Sequence, residues 1–232
     1  MKKVLIGTPA HDGRVEVYYV NSLLATIKDL EKHYYDVNVI FMSYDSLVQR
    51  ARNDLIKIAV EGEYDYLFFI DSDMVWEPQW VLELLDTPVD VISGTARKKS
   101  DDELSFAIKI KKDFENAKRL SGNSDVMEVA GTGMAFTKIT KEVLKKVWDV
   151  SKPYSNGERS SRMVFNIGID KDNELYSEDT SFCNKWISMG GTIWVNIGMT
   201  CGHIGSKIFG GNFKEYFAEY IKQHGKKNNK KK

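Results

Sequence analysis

Cysteine is scarce. Cys183 and Cys201 are the only two in 232 residues, and no CxxC pair or finger-like spacing occurs. A disulfide framework and a structural zinc finger are therefore excluded, and the usage fits a reducing cytoplasm. Long apolar runs are missing as well. Segments such as Tyr66–Ile70 (YLFFI) are far shorter than the ~20 residues a membrane-crossing helix needs. The opening Met1-Lys2-Lys3 is followed by too short an apolar run for a secretion signal, and it reads as a first strand. Net charge is absent too, with 33 basic against 33 acidic residues. Five of the lysines, however, lie in Lys226–Lys232; without them the count is 28 against 33, a mildly acidic body of net −5. That tail, 226–232, reads as a solvated, disordered basic segment. No internal repeat is visible.

The 42% apolar content is that of an ordinary globular protein. A chain of this length hides roughly 70% of its unfolded surface, enough for a sizeable core. One domain over residues 1–225 is expected, with a regular half to about residue 100 and a mixed half after it. In the first half strand and helix alternate. Lys3–Thr8 is a buried strand closed by Pro9, and Val15–Lys32 places Val20, Leu23, Leu24, Ile27 and Leu30 at helical spacing. Val37–Met42 is a strand, and a helix capped by Ser43 or Asp45 runs through Val60. Tyr66–Ile70 is apolar throughout, as in a strand covered on both faces. A short helix follows Pro78, and Val89–Ser93 is a fourth strand. This order predicts an α/β fold, a Rossmann-like, mostly parallel sheet flanked by helices. Ligands of such sheets bind beyond the carboxyl ends of the strands, here Thr8–Arg14, Ser43–Ser46, Asp71–Asp73 and Gly94–Lys98.

The second half predicts strands at Ser105–Ile110, Val126–Ala130, Met134–Thr137 and Thr192–Ile197. Helices are expected at Lys141–Trp148, Ser177–Met189 and Asn212–His224, and a polar loop at Asp149–Arg162.

The strongest chemical signal is Phe68-Phe69-Ile70-Asp71-Ser72-Asp73. Two carboxylates directly after a buried strand stand at the ligand edge, where nothing in the core needs them. On an extended segment residues i and i+2 point the same way, so both would address one hard cation through oxygen. The competing reading is a pair of turn or cap residues before Trp76–Pro78.

The order of six short motifs resembles the GT-A glycosyltransferases, in particular small bacterial or viral members related to family 2. They are the strand with Thr8-Pro-Ala10, the helix with Gln49-Arg-Ala-Arg-Asn53, Asp71-Ser-Asp73, Gly131-Thr-Gly-Met134, Ser177-Glu-Asp-Thr180 and Gly202-His-Ile-Gly205. The resemblance spans residues 3 to 209. It implies a GT-A fold and transfer of a hexosyl or pentosyl group from a nucleoside-diphosphate sugar, UDP- or GDP-linked, with Mn²⁺ or Mg²⁺. It also implies a nucleotide-binding half, 1–100, and an acceptor-binding half, 101–225. By this resemblance Thr8, Pro9 and Ala10 lie against the nucleotide, Arg14 just beyond, and Arg52 and Asn53 near the donor. Ser72 and the close-approach glycines Gly131 and Gly133 complete the donor set. Asp73 is then the direct metal ligand, and Asp71 contacts ribose, metal or metal-bound water. His203, between Gly202 and Gly205, is a further ligand, since neutral imidazole suits Mn²⁺-like ions. The Glu178-Asp179 pair resembles that of inverting enzymes, with Asp179 as the base and Glu178 positioning the acceptor. Helix capping by both acids is the alternative. Arg97, Lys98 and Lys99 would face diphosphate or acceptor; the five tryptophans are expected mostly in the core, with Trp76, beside the acidic motif, the one candidate to stack on a sugar.

Other classes fit less well. A haloacid-dehalogenase-like phosphatase shares hydrophobic-Asp-x-Asp, but places it on an early strand and adds a closing acidic motif that is missing here. A nucleotidyltransferase would carry a fuller Gly- and Arg-rich loop after the first strand. A non-catalytic nucleotide- or sugar-binding module would not need Asp71, Asp73, Asp179 and His203 together. The acceptor is expected to be a glycan or polysaccharide, or a hydroxymethylated base in DNA. The lysine tail favours DNA and the acidic body opposes it. The location expected is the cytoplasm, that of the host if the chain is viral.

Overall fold

A computed structural model of the protein describes residues 1–101, 104–157 and 159–225. The basic tail, 226–232, lies outside the described residues. The first half contains β1 (Lys2–Ala10), α1 (Val17–Lys32), β2 (Tyr35–Ser43), α2 (Val48–Glu61), β3 (Tyr66–Ile70), β4 (Met74–Val75), α3 (Gln79–Asp86) and β5 (Val91–Ala96). The second half continues with β6 (Ile108–Lys109), β7 (Arg119–Leu120), β8 (Asn123–Val129), β9 (Gly131–Thr132), β10 (Phe136–Thr140), α4 (Lys141–Val150), β11 (Pro153–Asn156) and β12 (Arg159–Arg162). It closes with β13 (Gly168–Ile169), β14 (Leu175–Tyr176), α5 (Glu178–Ser188), β15 (Ile193–Ile204), β16 (Ile208–Phe209) and α6 (Phe213–Gly225).

One large sheet runs β2-β1-β3-β10-β5-β15-β8-β7. The pairs β1/β2, β1/β3 and β5/β15 are parallel, while β10 runs antiparallel between β3 and β5. The mostly parallel α/β sheet is thus present, but β5 does not sit beside β3 as simple alternation implied. Phe136–Thr140 takes that place because its two faces suit a buried position, with Phe136 and Ile139 entering opposite cores.

Two-residue periodicity sorts the strands between those cores. Leu5, Leu67, Phe69, Val91 and Val195 face one layer, built by α2, α4, α5 and α6. Val4, Ile6, Phe68, Ile70, Ile92 and Cys201 face the other, built by α1 and α3. Each fully buried Leu, Ile or Phe contributes about 1.5–3 kcal/mol to holding these layers. Cys183 and Cys201 are free thiols in the interior.

Three local expectations are revised. The stretch 149–162 is not a plain loop: β11 and β12 form a hairpin whose polar side chains carry no periodic apolar signal. It docks through hydrogen bonds from Ser161 Oγ to the Asn53 carbonyl (3.3 Å) and from Lys57 Nζ to the Ser160 carbonyl (2.9 Å). The late strand continues past Ile197 to Ile204, through a register shift between Val195 and Thr200 that hid its continuity. Helix α2 begins at Val48, later than the cap residues suggested. Asp45 Oδ1 instead accepts from the Leu47 amide at 2.9 Å, and the buried face of the helix includes Arg52 and Asn53.

Candidate active site

The carboxyl ends of β1, β2 and β3 converge on a cavity of about 470 Å³ lined by Pro9, Ala10, His11, Asp45, Ser46, Asp71, Ser72 and Asp73. A second cavity, of about 310 Å³, is lined by Lys98, Lys109, Gly131, Gly133, Ser177, Asp179 and Cys183. Ser177 is the N-cap of α5, its Oγ accepting from the Thr180 amide at 3.4 Å, and this starts the helix with Glu178 and Asp179 in its first turn.

Arg52 joins the two regions. Its guanidinium is almost fully buried and donates through Nη2 to both Asp71 carboxylate oxygens at 3.0 and 3.2 Å. Through Nη1 it donates to Glu178 Oε1 at 2.9 Å and to Asp179 Oδ1. Phe69 and Phe165 flank it, each ring centroid 5.9 Å from Cζ. Burial disfavours the guanidinium charge, but Asp179, Asp71 and Glu178 outweigh burial and hold the proton more firmly than usual. Burial pushes the Asp179 carboxyl up to about 6 against the attraction of Arg52, with Glu178 and Asp71 adding repulsion. An aspartate held there is a base poised near neutral pH. Gly133 leaves space beside it: a Cβ at that position would stand 3.1 Å from Ala107 Cβ and 3.6 Å from Asp179 Oδ2.

Asp71 and Asp73 do not point the same way. The Met74 amide donates to the Asp71 carbonyl at 3.1 Å, so the segment turns instead of continuing extended. Asp71 faces Arg52, whereas Asp73 faces His203 and Lys99. His203 Nε2 is 3.4 Å from Asp73 Oδ1, while its Nδ1 donates to the Arg97 carbonyl at 2.9 Å. That second hydrogen bond fixes the ring and leaves Nε2 to the site. Pairing of β4 with β15 brings His203 opposite Met74, beside Asp73, and the Ile204 amide donates to the Asp73 carbonyl at 2.7 Å. Gly202 permits this approach, because a Cβ there would lie 2.6 Å from Val75 Cγ1. Burial raises the Asp73 carboxyl, but hydrogen bonds from His203 and Lys99 bring it below its ordinary value. His203 moves the other way: burial opposes its charge, yet Asp73 and the Arg97 carbonyl make protonation easier than usual.

Among the described residues no group of three or more His, Cys, Asp or Glu side chains is placed to hold an ion. Asp73 and His203 therefore form a two-donor set. The Lys99 ammonium pairs with the same carboxylate, so Asp73 already accepts a positive group. Mg²⁺-like ions typically take one or two protein carboxylates and complete their shell with phosphate and water, so the set suits an ion brought in with a diphosphate.

Several sequence expectations land elsewhere. The Thr8 side chain is fully buried and its Oγ1 meets the Tyr19 hydroxyl at 2.5 Å, on the core side of the strand. Arg14 is exposed and absent from the cavity walls. Asn53 clamps the main chain of Phe165, accepting from its amide at 2.7 Å and donating to its carbonyl at 3.1 Å. Trp76 is core, donating through Nε1 to Thr26 Oγ1 at 2.9 Å, and is not open to a sugar. The Arg97 guanidinium donates to the Ser100 and Gly210 carbonyls, each at 3.1 Å. His11 and Asp45, which lie in the ligand-edge segments Thr8–Arg14 and Ser43–Ser46 but have no role in the resemblance, both line the first cavity. His11 Nδ1 is 3.2 Å from the Asp45 carbonyl, and Arg50 Nε donates to Asp45 at 2.7 Å. Their position at the ends of β1 and β2 was the available signal.

The mostly parallel α/β sheet flanked by helices, with the acidic turn after its third strand, is a GT-A fold. The profile of glycosyl transferase family 2 matches residues 20–144, more than half of the chain. The chain belongs to that family. No curated protein matches it in sequence. Among solved structures it is similar to A197 from STIV, at 18% identity over 88% of this chain and 86% of that one, with a TM-score of 0.55, a likeness of fold. TarS 1–349 from S. aureus aligns at 15% identity over 86% of this chain and 58% of that one, TM-score 0.44. The glycosyltransferase involved in glycosylation of the major capsid of PBCV-1 aligns at 11% identity over 65% and 67%, TM-score 0.33.

Proposed function

We propose that the protein transfers a hexosyl or pentosyl group from a UDP- or GDP-linked sugar to a hydroxyl of a glycan acceptor, with inversion, and that it works in the cytoplasm. The observation that carries this reading is Arg52, which ties Asp71 of the first cavity to Asp179 of the second and to its neighbour Glu178. The nucleotide occupies the first cavity against Pro9 and Ala10, with the ribose toward Asp71 and Ser72. The acceptor enters the second, toward Asp179; Gly131 and Gly133, expected with the donor, line that same cavity. Residues 1–100 thus supply most of the donor site and 101–225 most of the acceptor site, within one domain, with His203 crossing to the donor side and Lys98 to the acceptor cavity.

Asp73 and His203 are the residues that would hold Mn²⁺ or Mg²⁺, displacing Lys99 from the carboxylate. Such an ion supplies neutralisation of the diphosphate as it leaves. Asp179 takes the proton of the acceptor hydroxyl while that oxygen forms a bond to the anomeric carbon. The bond from that carbon to the diphosphate oxygen breaks on the opposite face, and the electron pair leaves with the nucleoside diphosphate. Glu178 and Arg52 keep the Asp179 carboxylate facing the acceptor.

The test is thermal denaturation against a panel of nucleoside diphosphates and their sugars, with and without Mn²⁺, on the wild type and Asp73→Ala. A metal-dependent shift with one nucleotide, lost in the variant, is expected; saturating ligand should add on the order of a few kcal/mol. Full turnover in EDTA would remove the metal assignment, and no shift with any nucleotide would remove the donor site.

A further inference from the structure

At the opposite edge of the sheet, where β1, β3 and β15 begin, lies a cavity of about 780 Å³, larger than either cavity described above. Its walls carry four cations, Lys2, Lys118, Arg119 and Lys138, against two carboxylates, Asp86 and Asp90. The carboxylates are already engaged: Asp86 accepts from the Tyr35 hydroxyl at 2.8 Å and Asp90 from Thr140 Oγ1 at 3.1 Å. None of the four cations enters an ion pair among the described residues.

Lys138 is the unusual member. It stands on the central strand β10 with 1% of its surface exposed, and its ammonium donates to the Thr87 carbonyl at 2.6 Å. The Tyr66 ring lies on one side, its centroid 5.9 Å away, and the same ring carries Lys2, whose Nζ donates to the Tyr66 hydroxyl at 2.8 Å. Lys118 lies over the Trp194 ring at 5.8 Å. An ammonium has three N–H donors, and burying it without a counter-ion is costly. Burial lowers the Lys138 pKa to about 8, with Lys2 adding repulsion against the pull of Asp90 and Asp86. The fold nonetheless keeps this charge at a cavity whose rim carries three more cations, of which Arg119 donates to the Ser124 carbonyl at 2.9 Å.

We propose that this cavity binds a small phosphate- or carboxylate-bearing ligand, held by Lys138 from the wall of the sheet and by Lys2, Lys118 and Arg119 around it. The five residues of β3 separate it from the acidic turn by roughly 17 Å, so its occupant is a second ligand and not the sugar donor. It does not depend on the transfer reaction proposed above.

Calorimetric titration of the full chain in EDTA with inorganic pyrophosphate, and separately with malonate, tests this. Saturable binding of at least one probe is expected, and which one binds identifies phosphate or carboxylate as the preferred group. Lys138→Met and Lys118→Glu should each weaken it on the order of tenfold or more, as loss of a charge-assisted contact does. Asp73→Ala, at the other edge, should leave it unchanged. Lys118 is exposed, so its variant reports on the site without disturbing the core. Absence of saturable binding with both probes would overturn the proposal. Binding abolished by Asp73→Ala but kept in both lysine variants would overturn it too, by placing the anion at the opposite edge.

Discussion

Replacing Asp179 by asparagine should stabilise the folded protein at alkaline pH while abolishing turnover. Burial holds the Asp179 carboxyl at about 6, above its ordinary 3.8. The folded chain therefore binds more protons than the unfolded one across that interval, and stability falls as pH rises through it. The cost is absent below the unfolded value and complete above about 6. At roughly 1.4 kcal/mol per pH unit it amounts to about 3 kcal/mol. Asp179→Asn keeps the shape and removes the charge. Its advantage over the wild type in urea denaturation should shrink by about 2 kcal/mol between about pH 8 and about pH 4.5, where most of the wild-type cost has already gone. Nucleotide affinity should persist and turnover should not. An equal difference between the two proteins at both pH values would show that the carboxyl is not held by burial. An unimpaired rate would remove Asp179 as the base.

Two further substitutions address the neighbouring charges. Arg52→Met leaves Asp71, Glu178 and Asp179 without their shared, nearly buried cation, and should cost about 3–5 kcal/mol in chemical denaturation at neutral pH. The loss should be smaller near pH 5, where carboxyls take up protons, and a loss below about 1 kcal/mol at neutral pH would deny Arg52 its linking role. Lys99→Ala removes the ammonium that rests on Asp73, so Mn²⁺ titrated by paramagnetic resonance should bind several-fold more tightly. Unchanged affinity would mean that Lys99 does not stand where the ion would.

Much of the frame was legible from neighbours along the chain. The apolar spacing of α1, the two-sided strand Tyr66–Ile70 and the Ser-Glu-Asp start of α5 are local patterns, and each forms within a residue or two of where periodicity and capping place it. The rule that ligands gather at the carboxyl ends of parallel strands puts Pro9, Ala10 and Asp71–Asp73 along one edge, and they line one cavity there. Elements with weak local signals left no such mark. The 153–162 hairpin has polar faces, and β15 crosses a register shift, so neither shows a continuous period.

What only the tertiary structure decided is how distant charges meet. Arg52 stands 126 residues from Glu178 and 127 from Asp179, and nothing along the chain at 52 or 178 announces the contact. It exists because α2 and α5 pack on the same face of the sheet. The turn after β3 likewise sends Asp71 to Arg52 and Asp73 to His203, where spacing alone had both facing one ion. The insertion of β10 between β3 and β5 set Lys138 at the wall of the opposite cavity. Periodicity is a property of neighbouring residues and survives in the sequence. Charge pairing at 3 Å depends on strand order and register, which are settled only when the whole sheet assembles.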